Sequence, residues 1–353
     1  MQRLDIDTVA GLLDGHVDLR RRADAVQPLR YPFADTLFLD PFTRWVASCA
    51  AGVRLRLTSD TRALRLATTQ RSFGDRPANY ELYVDGELFE RKPSTGGATL
   101  GEGGELRGDE AAVVAFEALP PGEKRLELWL PQTATVSVTG LEVDEGAQVA
   151  PWPDARPTVV FHGSSISHCM EAAGGSGTWP AVAAGLGNLR AVNMGWAGSC
   201  LLSGLAARAI RDQAADGILL KLGINVHGGG ALKERTFLDS AHAMISIIRE
   251  KHAGTPLMIV SPIYSPPRED EGDGGGLSLK AMRGLLETVV AARRRAGDRH
   301  ISYLSGLALF DAPDTPDLPD QLHPNAAGYR RMGERFHAKV LKDGRWLAGE
   351  ALG

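Results

Sequence analysis

Between Val53 and Val143 the chain places apolar and polar residues in alternation. Val53-Arg54-Leu55-Arg56-Leu57 and Ala63-Leu64-Arg65-Leu66-Ala67 both follow it, and Tyr80-Glu81-Leu82-Tyr83-Val84 runs into Asp85-Gly86 and then Glu87-Leu88-Phe89. A period of two marks strands with one buried face, and Asp-Gly between two such runs predicts a tight hairpin. Ala112 to Phe116, Arg125 to Leu130 and Val136 to Val143 are further strand candidates, punctuated by Pro120-Pro121-Gly122. Many short strands joined by turns predict a β-sandwich or jelly roll. Ahead of it, Asp5 to Leu13 reads as a short helix, followed by an arginine-rich connector to about Thr43. The glycine-rich stretch Thr95 to Gly104 reads as a mobile loop.

The period changes near Ala150. Pro151, Pro153 and Pro157 suit a stiff linker at a domain boundary. Beyond it, apolar runs alternate with helical stretches. The strand candidates are Val159-Phe161, Leu189-Val192, Gly217-Leu222, Leu257-Val260 and Ile301-Leu304. Helices are expected at Trp179 to Leu186, Leu201 to Ala214, Phe237 to His252 and Leu279 to Arg295, and from a cap at Asn325 to about Leu341. This is βαβ repetition around a parallel sheet buried on both faces. Residues 1–150 are thus expected to form an all-β domain and residues 151–353 an α/β domain.

Composition narrows the class of protein. The 353 residues carry a formal net charge of -4, which gives no basic footprint for nucleic acid. No apolar run approaches the ~18 residues of a membrane span, and Met1-Gln2-Arg3-Leu4-Asp5-Ile6-Asp7 has acids where a signal peptide has an apolar core. A soluble, cytoplasmic protein is expected. Cys49, Cys169 and Cys200 lack CxxC or CxxH pairing and read as buried, reduced thiols.

Candidate chemistry lies at the ends of the expected parallel strands, where α/β sheets place their sites. Val159-Val160-Phe161-His162-Gly163-Ser164-Ser165 is a strand that breaks at glycine into a hydroxyl cluster. A serine there can act as a nucleophile if a base and an anion-stabilising site are in reach. Asp320 and His323 stand three apart on an expected loop, so the carboxylate can fix the imidazole tautomer and leave its other nitrogen free for a serine proton. Ser165, Gly198 and Asn225 each follow a strand candidate and are expected to converge. Ser164 and Ser167 compete with Ser165, and His162 and His168 read as structural. His227-Gly228-Gly229-Gly230 copies a lipase oxyanion loop but lies downstream of the serine, without a G-x-S-x-G elbow. Gly174-Gly175-Ser176-Gly177 lacks the lysine of a phosphate loop. Pro262 to Gly276 follows a strand and reads as a mobile lip over the site.

Four of these stretches resemble the blocks of the SGNH hydrolases, the GDSL esterase/lipase family. Gly163-Ser164-Ser165-Ile166 resembles the G-D-S-L/I nucleophile block, with Ser164 where the family usually carries Asp. Asn193-Met194-Gly195-Trp196-Ala197-Gly198-Ser199 resembles the second block. Gly223-Ile224-Asn225-Val226 resembles G-x-N-D, with Val226 in place of Asp, and Asp320-Gln321-Leu322-His323 resembles D-x-x-H. The resemblance runs from about Thr158 to the end. It implies a flavodoxin-like α/β/α sandwich with about five parallel strands. It further implies Ser165 as nucleophile, His323 as general base oriented by Asp320, and an oxyanion hole of the Ser165 and Gly198 N–H groups with the Asn225 side chain. The first domain resembles the carbohydrate-binding-module-like β-sandwich that precedes the hydrolase domain in one bacterial subgroup.

The activity implied is ester hydrolysis through a serine acyl-enzyme, with no metal or organic cofactor. The partner is then a small acyl ester or acyl donor, with a sugar or polyketide-like alcohol among the candidates. Two alternatives stay open: an acyltransferase that passes the acyl group to a bound hydroxyl, and a carbohydrate-binding protein with an inactive hydrolase domain.

Overall fold

The alternating stretch folds as two sheets. In the computed structural model, which describes residues 1–74, 76–101, 104–272 and 276–350, the chain divides into two units. The first is Met1–Ala155 with Ala173–Ser176, and the second is Arg156–Ala172 with Gly177–Gly353.

In the first unit, the strand Leu64–Phe73 pairs antiparallel with both Ala134–Val143 and Ala111–Phe116, within a sheet of nine strands among the described residues. Arg54–Ser59, Lys124–Trp129, Asn79–Val84 and Glu87–Pro93 belong to a second sheet of six. Residues predicted to face inward do so: Leu55, Leu57, Leu66, Leu82, Leu126 and Val136 are all fully buried in one cluster. Asp85 and Gly86 take φ 50° and 96°, the left-handed pair that a two-residue hairpin turn of the predicted type requires.

Three expectations are corrected. Thr95 to Gly104 contains two short strands, Thr95–Gly96 and Ala98–Leu100, which add to the nine-stranded sheet; its residues 102–103 lie outside the described residues. Gly96 permits this because a Cβ there would come within 2.3 Å of the Ala111 carbonyl oxygen. Arg54 and Arg56, polar by alternation, are buried. Asp14, Glu127 and Asp154 neutralise them, and their guanidinium groups stack on Trp129 and Trp152. The proline-rich stretch contains the boundary between the units, after Ala155, but its first part is docked: Val149–Pro151 pairs with Arg54–Ser59, and Trp152 and Asp154 supply those contacts.

The second unit holds five parallel strands: β1 (Thr158–Gly163), β2 (Arg190–Gly195), β3 (Gly217–Lys221), β4 (Leu257–Val260) and β5 (Ile301–Leu304), in the order β2-β1-β3-β4-β5. Helices Trp179–Leu186, Gly204–Arg211, Glu234–Arg249, Leu279–Arg295 and Ala326–Phe336 accompany them. Phe161 of β1 meets Trp179 and Phe336 edge to face at 5.4 and 6.1 Å, which locks two helices onto the sheet. The last helix continues past Phe336 as a wider π turn, His337–Leu341. Among the described residues no helix is long and apolar enough to cross a membrane.

Candidate active site

β1 ends at Gly163, and one turn of helix, Ser165–His168, follows immediately. Ser164 is extended and its Oγ accepts the Ile166 N–H at 3.2 Å, so it is the N-cap of that turn. A hydroxyl or a carboxylate can fill this role, which explains physically how Ser replaces Asp at this position. Ser164 and Ser167 are fully buried, whereas Ser165 is half-exposed, and the Ser165 Oγ lies 2.8 Å from His323 Nε2. Two glycines let the turn lie directly on the strand ends. A Cβ on Gly163 would come within 2.4 Å of Ser167 Oγ, and one on Gly195 within 2.3 Å of the His168 nitrogen.

His323 Nδ1 stands 2.6 Å from Asp320 Oδ2, and Asp320 Oδ1 accepts the backbone N–H groups of His323 and Leu322 at 2.6 and 2.9 Å. A carboxylate only accepts, so Nδ1 carries the hydrogen and Nε2 is left to accept from the serine. Burial alone would raise the Asp320 pKa, but the hydrogen bonds from the His323 backbone and ring and from Leu322 outweigh it and hold the carboxyl below its ordinary value.

The loop carrying this pair is braced from both sides. Gln321 takes φ 59°, and its carbonyl accepts from Ser265 Oγ at 2.7 Å and Arg268 at 3.3 Å. Asn325 caps the last helix by accepting the Gly328 N–H at 2.9 Å, as expected, while its own N–H binds the Asp317 carbonyl. Ser265 and Arg268 belong to the stretch expected to be a mobile lip. Its first half is instead pinned by Arg283, 8% exposed, which donates to the Pro262 and Ile263 carbonyls at 2.9 and 3.0 Å and pairs with Glu269 at 2.7 Å. Residues 273–275 of that stretch lie outside the described residues.

The three groups expected to hold an oxyanion leave adjacent strands in register. Gly163 stands opposite Gly195 on one side and Lys221 on the other. Ser165, Gly198 and Asn225 follow these strand ends by two, three and four residues. The Ser165 N–H occupies a first-turn helix position, where no intrahelical acceptor exists. Gly198 takes φ 70° in an exposed turn closed by Ser199 N–H to Trp196 O at 3.0 Å. Asn225 lies in the helix Ile224–Gly229 and is half-buried, and its Oδ1 accepts the Cys200 N–H at 3.1 Å. Val226, where the family usually carries Asp, is buried. His227 to Gly229 complete that helix, so they form no lipase-type oxyanion loop. In Gly174 to Gly177, the Ser176 N–H donates to Glu81 at 2.7 Å within the first unit, an acidic partner that suits no phosphate.

Three buried groups beside these strand ends carry no catalytic motif. His162 reads as structural, and Cys200 only as one of three thiols, all of which are free and buried. Lys221 carries no motif, although a cation in the apolar run Gly217-Leu222 is a visible signal. It is 1% exposed, and burial lowers its pKa to about 8, with Cys200 and Cys169 opposing the shift.

Residues 161–331 match the family model described as GDSL-like Lipase/Acylhydrolase. Among solved structures, the chain is similar to a salicylyl-acyltransferase, SsfX3, from a tetracycline biosynthetic pathway, at 28% identity over 92% of each chain with TM-score 0.81. It is also similar to a family two carbohydrate esterase from Clostridium thermocellum (17% identity, 84% of this chain and 94% of that one, TM-score 0.63). An acetyl xylan esterase from Butyrivibrio proteoclasticus aligns over 98% of this chain and 99% of its own at 11% identity and TM-score 0.60. No curated protein matches the chain. The parallel sheet, the four ordered motifs and the family match together identify residues 161–331 as a GDSL-like lipase/acylhydrolase domain.

Proposed function

We propose that the protein is a serine acyl hydrolase acting on O-acyl esters through a Ser165 acyl-enzyme. His323 Nε2 takes the Ser165 proton as Oγ adds to the ester carbonyl. The ester C–O bond then breaks, and the same proton passes to the departing alkoxide. Water enters by the reverse sequence, with His323 again as base, and the carboxylic acid leaves. Asp320 keeps the ring in the productive tautomer and stabilises the imidazolium that forms twice in each cycle. The negative charge on the tetrahedral oxygen is met by the Ser165 and Gly198 N–H groups and the Asn225 amide, which need no reorganisation at the moment of reaction.

The observation that carries this reading is the continuous run Asp320–His323–Ser165, at 2.6 and 2.8 Å. Likeness along most of the chain to an acyltransferase favours a second reading, in which a bound hydroxyl replaces water in the second half-reaction. The test is turnover of p-nitrophenyl acetate together with intact mass, on wild type and Ser165→Ala. Sustained p-nitrophenol release by wild type alone supports hydrolysis. A burst with a persistent acetyl adduct supports transfer. Equal release by both proteins sinks the Ser165 assignment. Neither release nor adduct over a panel of acyl lengths returns the domain to the binding-protein reading.

A further inference from the structure

An amide side chain helps an oxyanion only when its NH₂ end faces the site, since its oxygen would repel the charge. Two ends of similar shape must therefore be told apart. Here the oxygen end of Asn225 is occupied by the Cys200 N–H at 3.1 Å, which leaves Nδ2 as the end available to an oxyanion. Cys200 belongs to no helix or strand, and the turn that carries it is set by the backbone bonds Ser199 N–H to Trp196 O and Leu201 N–H to Ser199 O, both 3.0 Å.

The side chain adds a second hold on the same residue. Cys200 Sγ lies 3.6 Å from His162 Nε2 and 3.7 Å from the Lys221 carbonyl. His162 Nδ1 lies 2.8 Å from the Met194 carbonyl, which can only accept. Nδ1 therefore carries the hydrogen and Nε2 can accept, so the single S–H has two acceptors in reach, Nε2 and the Lys221 carbonyl. The imidazole is held by its place on β1 and by Trp196, edge to face at 5.5 Å. His162 and Cys200 are both essentially unexposed, so water does not compete for these contacts. The run Met194 O, His162, Cys200, Asn225 ties together the ends of β2, β1 and β3.

We infer that His162 and Cys200 are positioning residues that orient the Asn225 amide toward the oxyanion. This rests on the serine acyl-enzyme reading. The experiment is a double-mutant cycle on p-nitrophenyl acetate turnover, with circular dichroism and melting on every variant. Cys200→Ala removes the thiol donor, and Cys200→Ser replaces it with a hydroxyl. If loss of a whole oxyanion donor lowers kcat about 10²–10³-fold, loss of its alignment is expected to lower kcat about 10-fold with KM nearly unchanged. Cys200→Ser is expected to recover most of that loss, and His162→Phe to reproduce it. In the Asn225→Ala background, Cys200→Ala is then expected to cost less than about twofold.

The same loss in both backgrounds would overturn the inference, as would a Cys200→Ala effect confined to KM or to the melting temperature. Should Cys200→Ala fail to fold, the His162→Phe cycle with Asn225→Ala decides the same question. An Asn225→Ala enzyme as active as wild type would sink the positioning role while leaving the Ser165 reading intact. An active Ser165→Ala enzyme would sink the reading beneath it.

Discussion

Replacing Lys221 with methionine should make the protein more stable at neutral pH. The side chain is 1% exposed at the end of β3, its Nζ has no hydrogen-bond partner among the described residues, and its pKa falls from the ordinary 10.5 to about 8. At 1.36 kcal/mol per pKa unit, that displacement corresponds to an upper figure of ~3 kcal/mol for holding the ammonium away from water. Below pH 8 both folded and unfolded chains bind this proton, so the whole cost is present and does not vary. Between about pH 8 and 10.5 the unfolded chain still binds it while the folded chain has released it, so stability rises with pH over that window. Methionine has similar length and no charge to desolvate, and should gain ~1–3 kcal/mol at pH 7, with the gain shrinking towards pH 10.

The assay is urea unfolding of wild type and Lys221→Met by tryptophan fluorescence at several pH values. The quantity of interest is the difference between the two proteins. Cys169 and Cys200, whose pKa values burial also raises, contribute the opposite slope, because their unfolded thiols ionise first. That slope arises mainly from the unfolded thiols, which both proteins share, so it largely cancels in the difference. A variant less stable than wild type at pH 7 by more than about 1 kcal/mol, or a difference that stays flat through pH 10, would refute the reasoning.

The remaining predictions concern the site. Ser165→Ala and His323→Ala should each abolish ester turnover with unchanged circular dichroism, whereas Asp320→Asn should retain partial activity, all read from initial rates. Asn225→Ala should lower kcat about 10²–10³-fold at similar melting temperature. Gly195→Ala should destabilise and inactivate together, because its Cβ would strike backbone on the nucleophile turn, 2.3 Å from the His168 nitrogen and 2.5 Å from the Ser167 carbonyl carbon; a soluble, active Gly195→Ala enzyme would contradict this. Arg283→Met should cost roughly 3–5 kcal/mol in urea unfolding, since it strips the buried Pro262 and Ile263 carbonyls and Glu269 of their donor.

Much of the fold is legible from local pattern. Period-two runs locate the sandwich strands because each has one wet face, and the apolar runs at β1 to β5 locate a sheet buried on both sides. The Asp320–His323 spacing is legible because a carboxylate three residues before a loop histidine can reach its ring nitrogen without help. What stays hidden depends on partners distant in sequence. Arg54 and Arg56 read as solvent-facing because Asp154, about a hundred residues away, is invisible to alternation. The Pro262 to Gly276 stretch reads as mobile because nothing local announces that Arg283 will reach back to hold it. Arg283 itself is a clue, as a buried cation on a helix whose other buried positions are apolar. The bond from the Cys200 N–H to Asn225 stays hidden because no residue-type pattern encodes a backbone donor.

The three cysteines also serve as clocks. Cys49 belongs to the first unit, Cys169 and Cys200 to the second, and all three are free and 0–1% exposed. A thiol reagent can reach them only when the surrounding structure opens, so the labelling rate divided by that of the same thiol in the unfolded chain reports how often the structure is open. Single-cysteine variants followed by mass spectrometry would therefore report each unit's opening separately, with no added probe. A ligand that binds and stabilises only the second unit would slow the Cys169 and Cys200 clocks and leave Cys49 running at its former rate.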